Sequence, residues 1–93
     1  MKEKSILDKL GRISIPKEVR EEIDFGANDI FEIEIRDGKI MLLKGNEESL
    51  KVKRPLDPTG RLVIPIEIRQ ALNYKEGDHM EITVERVLLI SKI

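Results

Sequence analysis

Two arginines recur at matched positions of a motif that this sequence contains twice. Arg12 directly follows a glycine, and Arg20 stands eight residues later. Arg61 and Arg69 repeat the glycine-arginine pair and the spacing 49 positions further along the chain. A guanidinium stays charged and donates paired hydrogen bonds, so two matched pairs could hold phosphate groups. The motif therefore predicts an anion-binding surface to which both halves of the chain contribute.

The same arginines could instead serve the loops that contain them. Asp8 and Asp57 each stand four residues before the arginine of a glycine-arginine pair. An ion pair at this spacing would hold the loop and neutralise part of the positive charge. Gly11 and Gly60 fit such a loop, because glycine readily adopts the positive φ of a tight bend. Both roles of the arginines remain open at this point.

Other groups that could do chemistry lack the partners that they would need. His79 is the only histidine, and the chain has no cysteine. No motif places this histidine beside a serine, the carboxylates show no metal-ligand spacing, and no glycine-rich phosphate loop occurs. We therefore expect no enzyme activity, no cofactor and no metal site.

The composition favours a small β-rich protein without strong overall charge. The 93 residues are 40% hydrophobic but only 3% aromatic, so the core must be aliphatic. With 17 basic and 18 acidic residues the net charge is −1, so contacts with nucleic acid would have to come from local patches. The lack of cysteine fits a reducing compartment, and no apolar stretch approaches the roughly 20 residues that span a bilayer. We expect a cytoplasmic protein without a membrane segment.

An internal repeat extends well beyond the arginines. Residues 7–35 align without gaps with residues 56–84, and 11 of the 29 positions are identical. Chance would supply about two identities, so the chain is a duplication. The residues of the first copy that recur are Leu7, Asp8, Gly11, Arg12, Ile15, Pro16, Glu18, Arg20, Asp29, Glu32 and Ile33.

Each copy has the pattern of strand, loop, strand, short helix, strand, turn and strand. Pro16 and Pro65 suit the first turn of a helix, which predicts helices over residues 17–23 and 66–72. Apolar and polar residues alternate strictly after each helix, as in a half-buried strand. Asp37-Gly38 then predicts a two-residue hairpin turn.

Neither copy could bury its apolar face alone. The two should therefore pack into one mainly β, small closed barrel around a pseudo-two-fold axis. This predicts one domain of residues 1–93, with a first unit at 1–45, a linker at 46–49 and a second unit at 50–93. Apolar pairs such as Leu42-Leu43 and Leu88-Leu89 predict core positions, or a barrel edge that contacts another chain.

The segment from Leu7 to Arg20 resembles the swapped-hairpin signature of the AbrB/MazE/SpoVT family. It contains the aspartate, the glycine-arginine pair, the isoleucine-proline pair and the later arginine, and residues 56–69 match it too. In that family the unit forms an intertwined homodimer. The resemblance implies that this chain, which contains two units, forms a cradle-loop barrel by itself. Its strand order could be RIFT-like or that of a swapped hairpin.

The resemblance also implies a set of residues that bind DNA. They are the arginines at the family's DNA-contacting positions, Arg12, Arg20, Arg54, Arg61 and Arg69. Apart from the resemblance, Lys9 could add a further positive charge to the same face. Three positions depart from this pattern. Ser5 stands where the second copy has Arg54, and Glu21 and Gln70 replace an arginine often found after the helix arginine. These departures lower the positive potential.

We therefore expect a DNA-binding transcriptional regulator of AbrB type, which contacts double-stranded DNA mainly through the phosphate backbone. The alternative is a protein-interaction module or an antitoxin-like barrel without strong DNA binding, which the near-zero net charge favours. RIFT-type relatives bind flavins, but no sequence feature here supports a small ligand. A monomeric pseudo-dimer and a homo-oligomer both fit the sequence.

Overall fold

The strands and helices follow one another in the order that the repeat predicts. The computed structural model of the protein describes residues 1–45, 48 and 50–93. The first unit contains β1 (Lys2–Ile6), β2 (Arg12–Ser14), α1 (Lys17–Glu22), β3 (Ile30–Arg36) and β4 (Lys39–Lys44). The second unit contains β5 (Lys53–Pro55), β6 (Arg61–Val63), α2 (Ile66–Leu72), β7 (His79–Val84) and β8 (Leu88–Lys92). The predicted linker at 46–49 lies outside the described residues, apart from Glu48.

Both helices begin directly after a proline, as predicted. Pro16 and Pro65 have ψ angles of 150° and 145°, an extended conformation from which the chain turns into the helix. Val19 and Ile68 point from the helices into the core and are 0% and 8% exposed. Helices of six and seven residues are marginal alone, so this packing must stabilise them.

The two units interleave in the larger sheet. Six strands are paired in the order β1-β7-β8-β4-β3-β5, while β2 and β6 form a separate two-stranded ladder. In each unit the last two strands form a long hairpin, β3–β4 in the first and β7–β8 in the second. The first strand of each unit pairs with the long hairpin of the other unit, β1 with β7 and β5 with β3. The sequence left the strand order open. In the structure, each unit needs strands of the other unit to complete its part of the larger sheet.

The predicted mainly β class is confirmed. Buried aliphatic side chains from both sheets and both helices form one core, together with the stacked rings of Phe25 and Phe31, whose centroids lie 4.3 Å apart. Within residues 1–45, 48 and 50–93 the ladders divide into two sheets, so closure into one barrel stays a prediction. No helix in these described ranges is long and apolar enough to cross a membrane.

A pseudo-two-fold axis relates the two units. Ile13 lies opposite Leu62 at the centre of the β2–β6 ladder, and both side chains point inward, with exposures of 1% and 0%. Met41 lies opposite Leu89 at the centre of the β4–β8 ladder. Because equivalent strands of the two units meet at both places, the axis passes through both pairs.

The structure contains the hairpin turn that Asp37-Gly38 predicts. Asp37 and Gly38 have φ angles of 53° and 75°, the two positive values that a type I′ turn requires.

Of the apolar pairs, Leu42 and Leu88 are each only 1% exposed and belong to the core. The side chain of Leu43, which follows Leu42, is only partly buried on the opposite face of the strand.

Candidate nucleic-acid interface

The β2–β6 ladder presents four side chains on its outward side. Arg12 lies opposite Val63 and Ser14 lies opposite Arg61. Side chains alternate along a strand, so these four point away from the face that Ile13 and Leu62 bury. We call this surface, made of Arg12, Ser14, Arg61 and Val63, the ladder face. Two of the predicted arginines thus lie on one surface, at diagonal positions about the pseudo-two-fold axis.

The loop before Arg12 is held by Asp8. One oxygen of its carboxylate accepts hydrogen bonds from the backbone N–H groups of Leu10 and Arg12, at 2.9 and 2.8 Å. The other oxygen accepts one from Arg12 Nε at 2.8 Å. Burial raises the pKa of Asp8, but these hydrogen bonds outweigh it and the pKa lies below its usual value. Asp8 therefore stays ionised and partly neutralises Arg12.

The loop before Arg61 is held differently. Asp57 accepts hydrogen bonds from the backbone N–H groups of Thr59 and Arg61, at 2.9 and 2.8 Å, and from the Thr59 hydroxyl at 2.8 Å. The Arg61 backbone hydrogen bond is the main cause of the lowered pKa of Asp57. In the described part of the chain, the Arg61 guanidinium forms no ion pair or hydrogen bond. The predicted structural ion pair thus forms in the first unit alone.

Arg20 and Arg69 connect the two units. Arg20 Nε donates to the carbonyl of Ile15 at 3.0 Å, and Arg69 Nε donates to that of Ile64 at 2.8 Å. Each guanidinium covers the glycine of the other unit. A Cβ atom on Gly60 would lie 2.8 Å from Arg20 Cζ, and one on Gly11 would lie 2.5 Å from Arg69 Cζ.

We call this arrangement the cross-unit clasp. It consists of Arg20 over Gly60, Arg69 over Gly11, and two backbone hydrogen bonds. The Ile15 N–H donates to the carbonyl of Gly60, and the Ile64 N–H donates to that of Gly11, both at 2.8 Å. The two glycines must therefore lack a side chain, because φ angles of 78° and 82° and the adjacent guanidinium both disfavour one. The sequence predicted the positive φ angles but not the guanidinium of the other unit.

The remaining predicted site residues lie outside the β2–β6 ladder. Arg54 belongs to β5 of the larger sheet, is half-buried, and donates from Nη1 to the carbonyl of Lys53 at 2.7 Å. Lys9 is exposed in the loop that Asp8 holds. Ser5, which matches Arg54 by position, accepts a hydrogen bond from the Ser14 N–H at 3.1 Å and so ties β1 to β2.

Sequence reasoning missed two outward-facing residues, Ser14 and Val63. They occupy equivalent positions in the repeat and lie directly opposite the two arginines on the ladder face. The signal that could have found them is the alternation in the short strands, where inward Ile13 and Leu62 require outward neighbours.

The described residues also contain a surface cleft and no metal cluster. The cleft, of about 360 Å³, is lined by residues that include Phe25, Phe31, Val84 and Leu88, but by none of the predicted DNA-binding residues. No group of three or more potential ligand side chains among the described residues could hold a metal ion. The arginine-bearing ladder face is therefore the best-supported candidate site.

Comparison with known proteins agrees with the duplication. The family model described as "Antidote-toxin recognition MazE, bacterial antitoxin" matches the chain twice, at residues 5–50 and 53–93. The solution structure of PHS018 from Pyrococcus horikoshii is 26% identical, and the alignment covers 98% of this chain and 89% of that one with a TM-score of 0.62. No curated protein matches significantly. The chain therefore belongs to the MazE antitoxin family, within the AbrB/MazE superfamily, and contains the family's unit twice.

Proposed function

We propose that this protein is a transcriptional regulator of AbrB type that binds double-stranded DNA through its ladder face. The observation that carries the proposal is that Arg12 and Arg61 share the outward side of an antiparallel two-stranded ladder. The major groove of B-DNA is wide enough to admit a two-stranded β-ribbon. Membership of a family with antitoxins and DNA-binding regulators supports this use of the ladder.

The charges near the ladder face support contact with phosphates. Arg61 has no ion-pair partner among the described residues. Arg12 donates to Asp8 through Nε, which leaves its two terminal guanidinium nitrogens able to contact a phosphate. Lys9 adds an exposed charge in the adjoining loop. Arg20 and Arg69 hold the two loops in place through the cross-unit clasp, and their contact with phosphate stays a prediction.

Titration of the protein against duplex DNA at about 50 and 200 mM salt tests the proposal. The wild-type protein should bind, and its affinity should fall steeply between the two salt concentrations. The double variant Arg12→Ala/Arg61→Ala should bind at least tenfold more weakly. Its slope on the logarithmic salt plot should be lower by about 0.9 for each phosphate that the variant no longer neutralises.

A matched control removes the same charge elsewhere. Arg36 and Arg86 are exposed at the ends of the two long hairpins, far along the chain from β2 and β6. Arg36→Ala/Arg86→Ala should bind almost as the wild type does. Absence of wild-type binding at the lower salt concentration, or an equal reduction of affinity in the two double variants, would overturn the proposal.

Recognition of a protein partner is a second candidate function, which an exposed apolar patch favours. Leu50, Val52 and Ile35 are 103%, 46% and 42% exposed. The Ile33 N–H donates to the carbonyl of Val52, and continuing this antiparallel register places Leu50 beside Ile35 at the sheet edge. A stable partner that co-purifies with the wild type but not with Leu50→Glu/Val52→Glu would support this function. Recovery of equal amounts of the partner with the wild type and with the variant would show that this patch does not bind it.

A further inference from the structure

The ladder face carries two pairs of equivalent residues, and only one pair is matched in type. Arg12 and Arg61 are related by the pseudo-two-fold axis, and so are Ser14 and Val63. The first pair therefore presents the same group to both halves of a bound duplex, but the second pair does not. Ser14 and Val63 are both exposed, with Val63 40% exposed.

The unmatched pair differs in what it can recognise on a base edge. The Ser14 hydroxyl can donate and accept a hydrogen bond, and so can pair with several groups in the major groove. Val63 is apolar, and the apolar group that the major groove presents is the thymine methyl. Neither side chain packs in the core, so the difference between them has no evident structural purpose.

The arginines also differ in their surroundings. Asp8 accepts a hydrogen bond from Arg12 Nε at 2.8 Å, whereas the equivalent Asp57 accepts one from the Thr59 hydroxyl instead. Arg61 is therefore the less neutralised of the two. Residues 5–23 contain four basic and four acidic side chains, but the equivalent residues 54–72 contain three and two. Residues 54–72 of the second unit thus have a formal charge of +1, whereas the equivalent residues of the first unit have none.

We propose that the ladder face binds a duplex in one fixed orientation, with Ser14 and Val63 as the residues that distinguish its two halves. This inference rests on the proposed DNA binding. A homodimer with identical units would favour a site with two equal halves. Here the preferred site has unlike halves, with a thymine in the half that faces Val63 and the stronger phosphate contacts around Arg61.

Selection of bound duplexes from a random-sequence pool tests the composition of the site. The wild-type protein should enrich sites that are not self-complementary. Val63→Ser places the residue of the first unit at the equivalent position of the second. It should make the base preferences of the two halves alike and reduce the preference for thymine by roughly fivefold or more. Ser14→Val is the reciprocal variant and should introduce a thymine preference in the other half.

Directed cleavage of the selected duplex tests the orientation. The chain has no cysteine, so Lys17→Cys and Ile66→Cys each give one attachment point for an iron chelate that cleaves nearby DNA. These positions are equivalent, are exposed, and begin the two helices directly after the ladder. In a fixed orientation the first variant should cut one half of the duplex and the second variant the other half.

The outcomes separate this inference from the function on which it rests. If no sequence is enriched and no duplex binds at low salt, DNA binding itself is wrong. If self-complementary sites are enriched, or each cysteine variant cuts both halves equally, DNA binding stands and the fixed orientation is wrong. If the halves differ but Val63→Ser leaves the selected site unchanged, while its thermal stability matches that of the wild type, Ser14 and Val63 are not the distinguishing residues.

Discussion

At the scale of single residues, the two aspartates show how one motif position can serve the same loop with different chemistry. Asp8 and Asp57 both accept hydrogen bonds from two backbone N–H groups of the loop that follows. The third hydrogen bond goes to an arginine in one unit and to Thr59 in the other. The second loop therefore keeps its hydrogen bonds without an ion pair to Arg61 among the described residues.

The same carboxylates should make the fold sensitive to acid. The pKa values of Asp8 and Asp57 lie below their usual values in the folded protein. A group of this kind stabilises the fold above its unfolded pKa of about 3.9, and this stabilisation disappears as the pH falls through the folded pKa. We expect the melting temperature of the wild type to fall between about pH 5 and pH 3, and that of Asp8→Asn/Asp57→Asn to fall less.

Asp24→Asn is the control variant for this comparison. Asp24 is exposed, and its carboxylate forms no hydrogen bond or ion pair among the described residues. Asp24→Asn should keep the wild-type dependence of melting temperature on pH. An identical pH dependence in all three proteins would show that the loop carboxylates do not cause the sensitivity to acid.

At the scale of structural elements, the cross-unit clasp fixes each glycine loop against the helix of the other unit. It forms because the helix that follows each proline carries an arginine in its last turn. The backbone hydrogen bonds of Ile15 and Ile64 join the same elements. The glycine, the proline and the arginine of the motif are therefore three parts of one contact between units.

Replacing a clasp glycine tests this interpretation. Gly11→Ala should destabilise the protein by about 1–2 kcal/mol because of its positive φ, and by about 1 kcal/mol more because Arg69 must move away. Gly38 has a similar φ of 75° but no atom within 4 Å of an added Cβ, so Gly38→Ala should show the first effect without the second. Denaturant unfolding measures both.

A double-mutant cycle separates the two effects at the clasp itself. In the Arg69→Ala background, Gly11→Ala should no longer show its additional cost and should resemble Gly38→Ala. If the cost of Gly11→Ala is the same with and without the arginine, the guanidinium does not contribute to the requirement for glycine.

At the scale of the whole molecule, the units are joined by pairing rather than by contact between two finished halves. Both ends of the larger sheet and both ladders at the pseudo-two-fold axis combine strands from different units. We therefore expect the two units to fold cooperatively. The orientation of DNA proposed above depends on two units that differ within one such assembly.

Cutting the chain between the units should leave them together. A protease recognition sequence inserted after Glu48 allows cleavage of the folded protein. The two fragments should elute as one species in native buffer and separate in denaturant, because four interunit ladders hold them. An uncut protein with the same insertion is the control. Separation of the fragments in native buffer would contradict the interleaved arrangement.

The sequence by itself determined the local features of this protein. The duplication, the helix starts after Pro16 and Pro65, and the turn at Asp37-Gly38 depend on neighbouring residues, and each was predicted from them. The two arginines that share the ladder face could also be identified, because a repeated motif marks equivalent positions on related strands.

Only the tertiary structure decided which partners these elements take. Two nearly equivalent units offer each strand two partners of similar local chemistry, so short-range rules cannot distinguish pairing within a unit from pairing between units. Lys2 pairs with Thr83, and Arg69 lies over Gly11, across most of the chain length. For the same reason, the sequence could not show that Asp8 pairs with its arginine while Asp57 leaves Arg61 available. Those choices depend on the packing of the complete, interleaved molecule.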